Sequence, residues 1–462
     1  MNPLRFFTRL LMLAVLCGVL FFGWFLWGKL EGEKPAVSGN IPSYLNTSQE
    51  IALHVSDVKT GIRSVRIAIE QNGKETVLKD DHYPLAGEPG GAVVHAADIT
   101  IKPDIKKLGI DDGKAVFHVE VRDNSWREWF HGNKTVIDRE IKIDTKPPAI
   151  TVLSRVHNLT QGGAGLVIYK LSKPCPVNGV MVGDQFYPGQ SGYFSDPNVY
   201  LAFIALNYRQ GHGTEMYIKA SDDAGNSVRA GFFYHIKARV FKSDTINVSD
   251  SFLNMKMPEF QVDVPPNSPN PLLDKFLKVN RDVREANYRR IVSATAASDD
   301  KMYWSGQFAR LPDAAPRAGF ADHRTYMYKG KEVDQEDHLG VDLASVQHAP
   351  IPAANSGRVV FTEMLGIYGN SVLIDHGFGL FSMYSHMNSF NVKPGQMVSK
   401  NDIVGYTDTT GMAAGDHLHY SMLIHQTFVN PIEWWDPKWI KDNITDKIDE
   451  VKAAIAAPAA TK

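Results

Sequence analysis

From Leu10 to Gly28 the chain runs nineteen residues without a single charge. As an α-helix that run is about 28 Å long, close to the thickness of a bilayer's hydrocarbon core. Few soluble folds accommodate such a segment at the start of a chain. Arg5 and Arg9 precede it, and Trp24 and Trp27 stand at its far end. A cleavable signal peptide has a shorter apolar stretch and small residues at its cleavage site, whereas this run ends in bulky "GWFLWGK". The expectation is therefore an uncleaved single-pass anchor in the inner membrane. Its basic N-terminus would lie in the cytoplasm and the remaining chain in the periplasm or outside the cell.

Beyond the anchor the chain reads as mostly β. "IALHVSDVKTGIRSVRIAIEQNG" and "AVFHVEVRDNSW" alternate apolar and polar residues, with Phe117, Val119 and Val121 on one face. After the stiff "DTKPP" junction a second stretch of the same grammar contains "EMYIKASDDAGNSVRAGFFYHI". "VRDNS" and "ASDDAGN" fall near the end of each stretch, as a weak repeat would. Both stretches loosely resemble the Ig-like β-sandwich modules of bacterial surface proteins. A proline-rich segment then leads to Leu272, Phe276, Val279 and Val283, whose spacing predicts a helix.

These signals divide the chain in order. Residues 1–9 are a cytoplasmic N-terminus, 10–28 a transmembrane helix and 29–41 a linker. Residues 42–145 and 146–245 are sandwich modules, and 246–301 a linker with a helix. Residues 302–436 form an antiparallel β domain, and 437–462 a helical tail with a disordered Ala/Pro end. A net charge of −2 and the lack of a basic stripe exclude nucleic acid as a partner. The two cysteines, Cys17 and Cys175, offer neither a disulfide framework nor a CxxC metal motif. Any metal must be held by His, Asp or Glu.

Such residues gather in 302–436. "GDHLHY" places His417 and His419 two apart in a strand-like run, so both rings point the same way, about 7 Å apart. "DHLGVD" places His338 and Asp342 around Gly340. On a straight strand these two would be about 13 Å apart, so the chain must bend, and Gly340 is expected to permit it. One imidazole and one carboxylate from that bend, with one ring of the His417/His419 pair, make three ligands. Three ligands plus water is the arrangement of a catalytic zinc site, whose ion acidifies the water. "LFSMYSHMNSF" adds His386, on the strand face of Ser382 and Tyr384 by alternation. His348, His376 and His425 read as structural.

"HLGVD", "YSHM" and "GDHLHY", in that order, resemble the lysostaphin/LytM-type zinc metallopeptidases that cut peptidoglycan peptides. "APIPAANSGRVVF" and "NPIEWW" agree with the same pattern. The resemblance implies one zinc ion held by His338, Asp342 and His419, with His386 and His417 as the catalytic pair and Tyr384 lining the cleft. It implies a compact antiparallel β domain of the duplicated hybrid motif type, and peptidoglycan as the partner. Asn401 stands where the family usually has a glycine, and asparagine tolerates the left-handed turn expected there. The function implied is hydrolysis of peptide bonds in wall cross-links. The rival reading is a non-catalytic wall-binding regulator that activates another hydrolase.

Overall fold

The computed structural model describes residues 3–84 and 92–457. Residues 458–462, the last of the tail expected at 437–462 to be helical with a disordered end, lie outside these residues. Contacts divide the chain into two compact units, Met1–Pro147 with Asp222–Asn226, and Pro148–Ser221 with Ser227–Lys462.

The first unit begins with the helix Pro3–Lys29. Its stretch Phe7–Lys29 is long and apolar enough to cross a membrane, and none of it is buried against protein. Two sheets come next, antiparallel except where Tyr44–Leu45 pairs in parallel with Lys134–Ile143. Lys134–Ile143, Gly113–Asp123, Ile62–Gln71 and Lys74–His82 lie side by side, with the short Tyr44–Leu45 at one edge. Ala36–Gly39, Ile51–Ser56 and Ala96–Ile101 form the second sheet. The two sheets share one apolar core. Phe117, Val119 and Val121 are fully buried in it, as their alternation requires.

The weak repeat has a physical basis. Asp123 accepts hydrogen bonds from Ser125 N, Asn133 N and Asn133 Nδ2. Asp222 accepts from Asn226 N and Asn226 Nδ2. In each case a carboxylate at a strand end satisfies the amides of the loop beside it.

In the second unit, a four-stranded sheet of Gln185–Pro188, Val177–Val182, Met216–Ser221 and Ser227–Gly231 accompanies a three-stranded one of Val199–Ala205, Ala164–Leu171 and Ile150–Val152. Their core is continuous with that of the C-terminal region. Phe203 packs against Trp304 and Trp434, and Tyr187 shares a hydrogen bond with Thr427.

Between them run the helices Asp250–Lys256, Pro271–Lys278 and Arg284–Ala294, the last two joined by the π turn Val279–Val283. Phe276 and Val279 are buried, as the spacing predicts. The first of these helices has no periodic signal. It starts at Ser249, whose hydroxyl accepts from Phe252 N. Just before it, Ser243–Asn247, which straddles the expected boundary at 245, pairs in parallel with Asp322–Tyr328 and gives an edge strand to the C-terminal region.

That region is built on a ten-stranded sheet. Val341–Ala344, Leu418–Ile424, Leu380–Phe390, Asn370–Asp375 and Gly357–Met364 succeed one another antiparallel. Asn401 is left-handed, at φ 75°, as expected of the residue replacing glycine in its turn. The tail helix Asp446–Ala456 buries Ile448 and Val451.

Glu433, in the helix Pro431–Trp435, accepts a hydrogen bond from Ala164 N at 2.8 Å. Burial pushes its carboxyl up to about 8 from 4.5, although the Ala164 N–H pulls the other way. The folded state therefore favours the proton. The stability it contributes is full below the ordinary value and is lost as pH rises through about 8. Glu433→Gln keeps the acceptor and removes the charge. It should unfold with the parent at about pH 5 and be more stable at about pH 9, by about 1–3 kcal/mol. Thermal melts of both proteins at the two pH values check this.

Candidate metal centre

His338 ends the strand Lys331–His338, and Asp342 lies in Val341–Ala344 of the ten-stranded sheet. The chain changes sheets across Leu339 and Gly340. Gly340 does not use a left-handed conformation there. What it supplies is room, because a Cβ at this position would lie 2.5 Å from His419 Nε2 and 2.7 Å from Ser421 Oγ. Across the sheet Asp342 pairs with His419, and His419 with Ser385, so these three share a face.

Three ligand-type atoms converge. His338 Nε2 lies 3.0 Å from Asp342 Oδ1 and 2.9 Å from His419 Nδ1, and His419 Nδ1 lies 2.9 Å from Asp342 Oδ1. The outer partners fix the tautomers. His338 Nδ1 faces the Gly319 carbonyl at 2.8 Å and must donate to it. Ser421 Oγ donates to the Leu339 carbonyl, so it accepts from His419 Nε2 at 3.0 Å. Both rings therefore turn bare lone pairs toward each other and toward a carboxylate. Lone pairs this close repel unless something positive lies between them. Two neutral imidazoles oriented by carbonyl and hydroxyl partners, with one carboxylate, are a donor set suited to zinc. Arg324 Nη2 donates to the other oxygen, Asp342 Oδ2, at 3.1 Å.

Charge is distributed accordingly. Burial opposes ionisation of Asp342, but His338, with His417 and His419, holds it well below the usual carboxylate range. Burial pushes His419 down to about 4. Burial, then the neighbouring His417 and His419, lowers His386 well below the ordinary histidine value. Burial also works against a cation at His417, yet the hydrogen bond and charge of Asp342 outweigh it and raise that ring.

His417 and His386 both reach the triad. His417 Nε2 is 3.5 Å from Asp342 Oδ1, while its Nδ1 donates to the Gly415 carbonyl at 2.7 Å. It precedes the strand, which begins at Leu418, and makes an isolated bridge with Asp408. The His386 ring lies 4.9 Å from that of His417 and 5.8 Å from that of His419, and its Nδ1 donates to the Thr410 carbonyl.

Tyr384 is a correction. It pairs with Tyr420 on the opposite face, is 1% exposed, and does not line the cavity at the site. Strict alternation would put His386 on that same face. His386 instead has φ 60°, beside a register shift in its strand, and this left-handed residue turns its ring toward His417.

The cavity of about 470 Å³ at the triad is walled by His338, Asp342, His386, His417 and His419 together with residues that carried no motif. Tyr368 sits against the His419 ring, 5.4 Å away, in a turn between the left-handed Gly366 and Gly369. Arg324 and Arg284 contribute charge, and the linker residues Asn247 and Phe252 form part of the opposite wall. Only the two turn glycines around Tyr368 offered a signal in the sequence. His348, His376 and His425 do not line the cavity. His376 is buried between the Ser356 carbonyl and Ser382 Oγ.

The family described as Peptidase family M23 matches residues 336–431. The DD-carboxypeptidase/endopeptidase Mpg of Neisseria meningitidis is 36% identical over 95 residues, 21% of this chain and 22% of its own. The peptidoglycan DD-endopeptidase ShyA of Vibrio cholerae is 34% identical over 96 residues, again 21% and 22%. The chain thus spans about a fifth of the length of these relatives. The catalytic domain of lysostaphin from Staphylococcus simulans is 22% identical and overlaps 28% of this chain and 98% of its own, with a TM-score of 0.25. Over residues 336–431, then, the chain carries a Peptidase M23 domain.

Proposed function

We propose that the chain is a zinc-dependent endopeptidase that hydrolyses peptide bonds in peptidoglycan cross-links. In this reading the N-terminal helix anchors it in the inner membrane, with the M23 domain in the periplasm. The observation that carries the proposal is the meeting of His338 Nε2, His419 Nδ1 and Asp342 Oδ1 within 3.0 Å of one another, with both tautomers set by outer partners. These three residues would hold one zinc ion. A divalent ion at such a site polarises the scissile carbonyl and lowers the pKa of the attacking water.

The chain's own groups do the rest. His386 donates from Nδ1 to Thr410 and so keeps Nε2 as an acceptor, and its burial keeps the ring neutral. That suits it to take the proton of the attacking water. His417 donates from Nδ1 to Gly415, and Asp342 draws a proton to its Nε2. An N–H there can steady the oxyanion that forms at the carbonyl and later protonate the leaving amine. Arg324 holds Asp342 by the oxygen turned away from the triad.

Incubation of isolated peptidoglycan with the full-length protein tests the proposal. New amino groups should be released, release should stop on chelation, and it should return with zinc. Binding to the wall without amino-group release would favour the regulator reading instead.

A further inference from the structure

Among the described residues, another buried group of potential metal ligands lies in the first unit. Glu31, Asp57 and Asp123 are 5%, 4% and 0% exposed. One carboxylate oxygen of each lies within 4.8 Å of the others. Asp57 comes directly after the strand Ile51–Ser56, Asp123 ends Gly113–Asp123, and Glu31 comes two residues after the helix Pro3–Lys29.

The three side chains are not equally satisfied. Asp57 Oδ1 accepts from Gly61 N at 2.6 Å and from Thr60 Oγ1 at 3.4 Å. Asp123 accepts from Ser125 and Asn133. Both carboxylate oxygens of Glu31 are shut off from solvent and accept no hydrogen bond. Asn124 Oδ1, in the next residue after Asp123, is likewise buried without a donor. The backbone leaves Glu31 little choice of position. Its carbonyl is held by Ser125 Oγ at 3.0 Å and Asn133 Nδ2 at 3.1 Å, and the Lys29 carbonyl by Trp126 N at 2.7 Å. The nearby ammonium of Lys59 is engaged by Glu33, at 3.3 Å on the surface.

An unpartnered carboxylate aimed at two others is costly in a protein interior unless a positive charge joins them. We propose that Glu31, Asp57 and Asp123 form a binding site for a divalent cation of the calcium type. The donors are all hard oxygens from three separate segments, as that ion prefers, and no imidazole or thiol is among them. Bound there, the cation ties the end of the N-terminal helix to the loops of the first sheet pair. The competing occupant is a proton. Burial, with Asp57 and Asp123 beside it, pushes Glu31 up to about 7, so without a cation the group takes up a proton near neutrality.

Glu31→Gln separates the two occupants, because it deletes a charge whose oxygens accept nothing. The full-length protein in detergent, with zinc held constant, is titrated with calcium chloride, and then melted in calcium or in buffer freed of calcium without a chelator that would also take the zinc. One calcium should bind per chain, with a Kd on the order of 0.1–1 mM as in extracellular modules. Calcium should raise the parent's melting temperature by about 5 °C. Glu31→Gln should weaken calcium binding at least about tenfold, the equivalent of one lost charged ligand. Without calcium it should melt at or above the parent, and in calcium below it. His419→Ala should bind calcium like the parent, which excludes the M23 site as the source. If calcium moves neither the parent's melting point nor its heat of titration, or if Glu31→Gln is the more stable protein in both buffers, the site holds a proton and the proposal fails. Should Glu31→Gln not fold, Asp57→Asn, which keeps the acceptor for Gly61, gives the same comparison.

Discussion

Full-length protein with His419→Ala is expected to stay folded while losing zinc and wall digestion together. His419 Nδ1 stands 2.9 Å from both His338 Nε2 and Asp342 Oδ1, so it supplies one corner of the triad. Without it, one nitrogen and one carboxylate remain, too few to hold an ion against dilution. The ion's electrostatic help to the reaction is worth several kcal/mol. At 1.36 kcal/mol per factor of ten, its loss should cost on the order of 10³-fold in rate or more. Stability should suffer far less. The lost ring leaves a small cavity, but its removal also relieves the lone-pair contact with His338. Elemental analysis, circular dichroism and amino-group release on the same sample give the three readouts. A variant that digested wall at the parent's rate would move the ligand role elsewhere.

That expectation rests on residues legible before any fold is known, and their neighbours at the site are not equally legible. His338, Asp342, His417 and His419 sit in short motifs, and local geometry gathers them. Asp342 and His419 are cross-strand partners, and Gly340 lets the chain pass close to the His419 ring. Alternation put His386 on the face of Tyr384 and Ser382, but it holds only while φ stays extended, and His386 breaks it at φ 60°. Arg324 carried no signal and Tyr368 only that of its flanking glycines, for another reason. Their place at the triad depends on pairings and turns far from the motifs in sequence, and an arginine or tyrosine by itself signals nothing.

The fold shows the same division. Phe117, Val119 and Val121 announce their strand by spacing, and Leu10 to Gly28 announce their helix by composition. The edge strand Ser243–Asn247 does not, because its partner Asp322–Tyr328 lies some 80 residues onward and the pairing is parallel. The helix Asp250–Lys256 is two turns long, too short for periodicity to register, and only its Ser249 cap marks it. The sequence separates 146–245 from 302–436 by composition, yet the packing of Phe203, Trp304 and Trp434 joins their cores. Large aromatics find each other across any chain distance, and composition does not report that.

Gly340→Ala is the second large effect expected, from one added methyl group. The new Cβ would stand 2.5 Å from His419 Nε2, 2.6 Å from Cε1 and 2.7 Å from Ser421 Oγ, all below van der Waals contact. None of these atoms can yield cheaply. The His419 ring is packed between His338 and Tyr368, and Ser421 Oγ is tied to Leu339. If the ring moves, Nδ1 leaves the triad. If Ser421 moves, His419 loses the acceptor that fixes its tautomer, a kind of loss worth about 10–100-fold in metal affinity. Overpacking of this kind should also cost about 1–3 kcal/mol of stability. Gly415 is the matched control, since it is not left-handed and a Cβ there meets nothing within 4 Å. Gly415→Ala should therefore keep its zinc and nearly all its activity, while Gly340→Ala loses zinc at a chelator concentration the parent withstands. Equal zinc retention by the two variants would mean that close approach at Gly340 does not position His419. The role of the glycine would then lie in the path of the chain between sheets rather than in the room it leaves for the ring.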